Sequence, residues 1–211
     1  PELLHQLVHQ LRGLGAKAWI VYYPRDQKFT TPEAYKCYDA PQREFVDRAN
    51  HFVVVPETST ILAKGIHKAK VMIWWMSVDN YFGPPVKGNV RRFYRHCKAV
   101  MQSKRLSIGH MKRFFHLSQS NYAADFLKEH GIKPMMLTDY ISDQHSTDAG
   151  SVARENIVAY NPKKGQEVTD ILRSQNPDLK FVKIENMTAS QVSELLRRAK
   201  IYMDFGHHPG K

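Results

Sequence analysis

Two periods of hydrophobic and polar residues alternate along this chain, one near 3.6 and one of short unbroken apolar runs. The stretch "ELLHQLVHQLR" (2–12) places Leu3, Leu4, Leu7, Val8 and Leu11 on one helical face. Gly13 and Gly15 end that helix, and "AWIVYY" (18–23) reads as a buried strand. Residues 24–40 read as a loop rich in turn formers and tyrosines. Further strands are predicted at 51–58, 70–77, 114–119 and 135–141. Between them, Thr58-Ser59-Thr60 is placed to cap a short helix through about Gly65. Ser120 caps "SNYAADFLKEH", which Gly131 closes. Trp74 and Trp75 are adjacent in a strand and must face opposite sides, one of them into the core.

From Asp143 to Arg154 the chain turns polar and unpatterned, as a linker does. The alternation then restarts with a strand at 156–160, a helix over 166–174, a strand at 179–184, a helix at 190–199 and a strand at 200–205. Strands alternating with helices predict an α/β protein of two Rossmann-like parallel-sheet units. They are set at residues 1–145 and 156–211, joined by a linker at 146–155. A helix opening at Pro1 without a preceding strand, and an ending inside "GHHPGK", make both units read as incomplete and the chain as the middle of a longer protein.

Composition narrows the function classes. Cys37 and Cys97 are the two cysteines, too few for a disulfide framework or a CxxC metal pair. No apolar run approaches the ~20 residues of a membrane-spanning helix. Both points favour a reducing, cytoplasmic setting. The formal net charge of +11 calls for an anionic partner: nucleic acid, an acidic membrane face or a phosphorylated small molecule. Much of that charge is concentrated, because no Asp or Glu occurs between Asn80 and Ala124.

In the second unit, "YNPKKG" follows a strand and opens a helix. Amides near Gly165 and the ammonium groups of Lys163 and Lys164 suit a phosphate there, and they suit solvent equally. The loop "FGHHPGK" (205–211) follows another strand of that unit and, in a parallel sheet, opens on the same edge. Gly206 and Gly210 permit close approach, and His207, His208 and Lys211 supply donors. Two adjacent histidines without a third ligand do not make a zinc site. Asp204 stands ready to orient His207. In the first unit Asp79 is the carboxylate beside the acid-free region, either a proton acceptor or a loop brace. The segment 87–116 mixes cations with Phe93, Tyr94, Phe114 and Phe115. Val90, Tyr94, Cys97 and Met101 share one helical face there. Single-stranded nucleic acid, an acidic membrane surface and plain solvent each fit that pattern.

Taken together, "NIVAYNPKKGQEVTDIL" and "FVKIENMTASQVSELLRRAKIYMDFGHHPGK" resemble the donor domain of bacterial GT-B-type glycosyltransferases, the two-Rossmann-domain enzymes of surface-polysaccharide assembly. "HLSQSNYAADFLKEHGI" resembles a helix of that family's other domain. The resemblance implies a cleft between two domains and transfer from a nucleotide-sugar to a glycan or lipid-linked acceptor, without a metal or other cofactor. It implies donor contacts at Asn161, Lys163, Lys164 and Gly165, a base near Asn186 and Met187, and a phosphate cradle at Gly206, His207, His208 and Gly210. Asp79 becomes the candidate catalytic base, although the family often has a histidine in that loop. Residues 87–113 would hold the enzyme to an acidic inner membrane face. The competing readings are a nucleic-acid-binding protein, a nucleotide-sugar epimerase and a non-catalytic relative.

Overall fold

The computed structural model describes residues 2–83, 90, 94, 97–98, 100–101, 104–140, 153–163 and 165–205. The chain divides at Tyr140/Ile141 into two compact units.

The first unit holds a parallel sheet of β1 (Phe52–Pro56), β2 (Lys70–Trp75), β3 (Phe115–Ser118) and β4 (Met135–Met136), in that spatial order. Alternation sorts its side chains. Val55, Val71, Ile73 and Trp75 face one side and join a core with Ala63, Tyr81, Met111, Ala123 and Leu127. These partners come from all three connections, β1 to β2, β2 to β3 and β3 to β4, so described residues of every crossover pack on the same face. Right-handed βαβ connections advancing in one direction require that outcome. Each buried Val, Ile or Leu in this layer contributes roughly 1.5–3 kcal/mol.

Both tryptophans are buried, on opposite faces. The Trp75 indole N–H donates to His116 Nδ1 at 2.9 Å, and His116 Nε2 donates to the Met111 carbonyl at 2.9 Å. The Trp74 indole N–H donates to the Leu137 carbonyl at 3.1 Å.

Several local expectations are corrected. The 18–23 run contributes a single parallel bridge, Ile20 to Gln42, and joins no sheet. Pro41 beside that bridge has no N–H to give, and Pro24 follows Tyr23, so the ladder cannot lengthen. Ile20 instead packs with Val8 and Ala40 against the Glu2–Gly13 helix. The loop 24–40 contains a 3₁₀ helix, Glu33–Tyr38, tied to the first helix by Gln6 Nε2 donating to Tyr38 Oη at 2.9 Å. Thr58-Ser59-Thr60 caps nothing. A kinked 3₁₀ segment, Glu57–Gly65, follows β1 directly, and the Thr60 hydroxyl accepts the Leu106 N–H at 2.9 Å. The strand expected at 135–141 shrinks to two residues, after which side-chain contacts from Trp74 and Gln119 replace the ladder. Ser120 does cap the Asn121–Glu129 helix, accepting from the Ala123 N–H, and Gly131 follows at φ +74°.

The second unit is a three-stranded parallel sheet of β5 (Glu155–Tyr160), β6 (Lys180–Lys183) and β7 (Ala199–Met203), in the order β6-β5-β7. The Ala189–Arg198 helix opens with a reciprocal capping box between Thr188 and Gln191. Its Leu195 and Leu196 pack on Ile157, Ala159 and Val182. The Gln166–Gln175 helix lies along the other face, with its own Thr169 buried. Most of the expected linker lies outside the described residues, and β5 begins at Glu155. Both sheets are parallel and both units are α/β, as the alternation predicts. No helix among the described residues is long and apolar enough to cross a membrane.

Candidate functional site

Strand order singles out one edge. β5 stands between β6 and β7, so the chain leaves it toward one neighbour and later returns to the other side. The carboxyl ends of β5 and β7 therefore form a topological switch point, where open α/β sheets leave a ligand crevice. The first unit has no such reversal among its described strands.

Two loops meet at this point. The Asn161 N–H donates to the Met203 carbonyl at 3.1 Å, carrying the β5–β7 pairing one residue past the strand. The Asn161 side chain then accepts the Lys163 N–H at 3.0 Å, an Asx turn that reverses the chain. Gly165 follows at φ +63° and sits so close to Phe205 that a Cβ on it would overlap the Phe205 Cβ and carbonyl oxygen. Gly165 is also the N-cap of the Gln166–Gln175 helix and supplies no capping side chain. The amino-terminal amides of that helix thus open beside the exposed Lys163.

Beside this junction is a cavity of about 530 Å³, lined by Tyr160, Pro162, Gln166, Arg173, Phe181, Lys183 and Glu185. Tyr160, Phe181 and Lys183 project from the same face of β5 and β6, as their register requires. Lys183 Nζ pairs with Glu185 Oε2 at 2.7 Å, which raises the lysine pKa and lowers that of the carboxyl. Arg173 pairs with Asp170 at 3.0 Å. Aromatic walls, two cations and one carboxylate could accept a ligand that is both planar and anionic.

Asn161, Lys163 and Gly165 are brought together as expected from the sequence. Asn186 lies in the loop after β6 at φ +56°, followed by half-buried Met187. Lys164, Gly206, His207, His208 and Gly210 lie outside the described residues. Asp204 accepts the Tyr202 hydroxyl at 3.1 Å. The cavity residues Tyr160, Arg173, Phe181, Lys183 and Glu185 were not legible as site residues. Only the Phe181/Lys183 alternation in "LKFVKI" hinted that both side chains share one face.

Asp79 is in the first unit, half-buried, the second residue of the Val78–Phe82 helix at the carboxyl end of β2. Ser77 caps that helix by accepting the Asn80 N–H at 3.1 Å. Sequence reasoning missed Glu57, which follows β1 at the same edge. It is 1% exposed, accepts the Met76 N–H at 3.2 Å, and burial pushes its carboxyl up to about 7. Trp74 is 2% exposed and offers no stacking surface. In the basic segment, Val90, Tyr94 and Met101 are exposed, whereas Phe114 packs on the core. Among the described residues, no cluster of His, Cys, Asp and Glu could hold a metal ion.

Comparison with protein-family models, with curated proteins and with solved structures returns no match.

Proposed function

We propose that this chain binds a nucleotide-sugar at the carboxyl edge of its second unit and acts as a GT-B-type glycosyltransferase on a glycan or lipid-linked acceptor. The observation that carries this reading is the convergence of the Asn161–Gly165 and Asp204–Phe205 loops at the sheet's switch point. Uncapped helix amides and Lys163, with Lys164 and the His207-His208 pair from the flanking sequence, would stabilise a departing diphosphate. The neighbouring cavity offers Tyr160 and Phe181 to a base, and Glu185 to sugar hydroxyls. Asp79 is the candidate base for the acceptor hydroxyl, and the segment 87–113 the candidate contact with an acidic membrane.

A thermal-shift series with UDP-, GDP-, CMP-, ADP- and TDP-sugars tests the reading, since a ligand of the folded state raises apparent stability. One nucleotide-sugar should raise the melting temperature, and Lys163→Ala and Lys164→Ala should reduce that shift. No shift with any of them, alongside salt-sensitive binding of single-stranded DNA, would replace the reading with a nucleic-acid-binding protein.

A further inference from the structure

The first unit's sheet has a second face, and the register defines it. Val54 pairs with Met72 and Met72 with Phe115. Pro56 pairs with Trp74, Trp74 with Leu117, and Leu117 with Met135. These positions share the side opposite the core, and they form two apolar rows across the strands. Phe52 extends the first strand of this face toward its amino end. A purely parallel sheet buries both faces, normally under helices. Here the described parts of all three connections that join the core cluster pack on the core side. The centre of the carboxyl row is covered, with Trp74 and Leu117 at 2% and 6% exposure, but its β4 end at Met135 and the amino end at Phe52 and Phe115 are 55%, 60% and 52% exposed.

The rim of the open half is cationic. Lys68, Lys70 and Lys133 stand at or just before the starts of β2 and β4, and all are exposed. Lys70 Nζ lies 5.3 Å from the centre of the Phe52 ring. Glu129 ends a helix near this rim, and Asp47 is engaged by three backbone amides at 67–69.

We propose that this open half-face seats an amphipathic α-helix with an apolar stripe and acidic flanks. A helix supplies the layer that a parallel sheet lacks here, and acidic flanks complement the lysine rim.

The test uses an 18-residue peptide with a leucine stripe and glutamate flanks, and its counterpart with lysine flanks. The Leu/Glu peptide should shift the NMR methyl signals of Met72 and Met135 and bind at least tenfold more tightly than the Leu/Lys peptide. Phe115→Glu and Met135→Glu, both at exposed positions, should each weaken it tenfold or more. Lys70→Glu should narrow the preference between the peptides. Equal binding of the two peptides would overturn the proposal. So would perturbation of those methyls by phosphatidylglycerol vesicles but by neither peptide, or their burial in a dimer of this chain seen by sedimentation.

Discussion

Gly165 and Phe205 occupy one another's space so closely that no residue with a Cβ fits at 165. The contact joins the turn after β5 to the turn after β7, and it places both turns at the only reversal of strand order among the described strands. Gly165→Ala must adopt left-handed dihedrals, at about 1–2 kcal/mol, and must also move the Phe205 backbone. Gly131→Ala is the control. Its φ of +74° imposes a similar dihedral cost, but its nearest neighbour is the flexible Lys112 ammonium at 3.5 Å. Circular-dichroism melting should show a larger loss for Gly165→Ala than for Gly131→Ala, and equal losses would mean the Phe205 contact is not formed.

Glu57 makes stability fall as pH rises. Its folded-state pKa of about 7 lies above its ordinary value of 4.5, so the folded protein holds the proton more tightly than the unfolded chain. Its contribution is full below about pH 4.5, declines to pH 7 and amounts to on the order of 3 kcal/mol. Glu57→Gln keeps an acceptor for the Met76 N–H and cannot ionise. Urea denaturation should find the variant close to the parent at pH 5 and more stable at pH 8. Parallel curves would contradict the assignment.

His116 works in the opposite direction. Burial lowers its pKa from 6.5, and its neutral ring must accept from Trp75 and donate to Met111. Its contribution is complete above pH 6.5 and falls as acid protonates the unfolded chain first. His116→Ala leaves two buried polar groups without partners and opens a void, a loss of about 2–4 kcal/mol at pH 7. Denaturant titration should also show a shallower acid slope in the variant.

Asp47 closes the loop before β2 through the amides of His67, Lys68 and Ala69, at 2.7–3.1 Å. Those bonds hold its pKa below the ordinary 3.8, so its stabilisation is full above that value and disappears on acidification through the folded pKa. Asp47→Ala should lower the melting temperature at pH 7. The gap from the parent should narrow below pH 4, and a pH-independent gap would assign the loss to packing instead.

The sequence was most informative where local and global demands agree. "FVVV", "KVMIWW" and "NIVAY" are strands because each packs at least one face of its apolar run into a core and ends near a turn former. Ser120 and Thr188 announce helices that the structure caps with those same hydroxyls. The failures come from partners distant in sequence. "AWIVYY" has strand composition, but its neighbour is Pro41, and no local pattern reveals that. Thr60 resembles a cap, but its hydroxyl is claimed by Leu106. At the candidate site, "YNPKKG" was visible as a turn. The Gly165–Phe205 contact was legible only as two loops on one edge. Arg173, Phe181 and Glu185 needed the sheet register to become neighbours.

Strand order also has a consequence for how the chain matures. In the first unit each strand pairs with the one made just before it, so the sheet can be laid down in step with synthesis. β5 is made before either of its neighbours and acquires β7 only after another strand and two helices have emerged. Such non-local pairing comes late because loop closure precedes its reward. The Gly165–Phe205 contact is therefore among the last parts of this unit to form, and a nascent chain stopped after β6 has the turn after β5 without its partner.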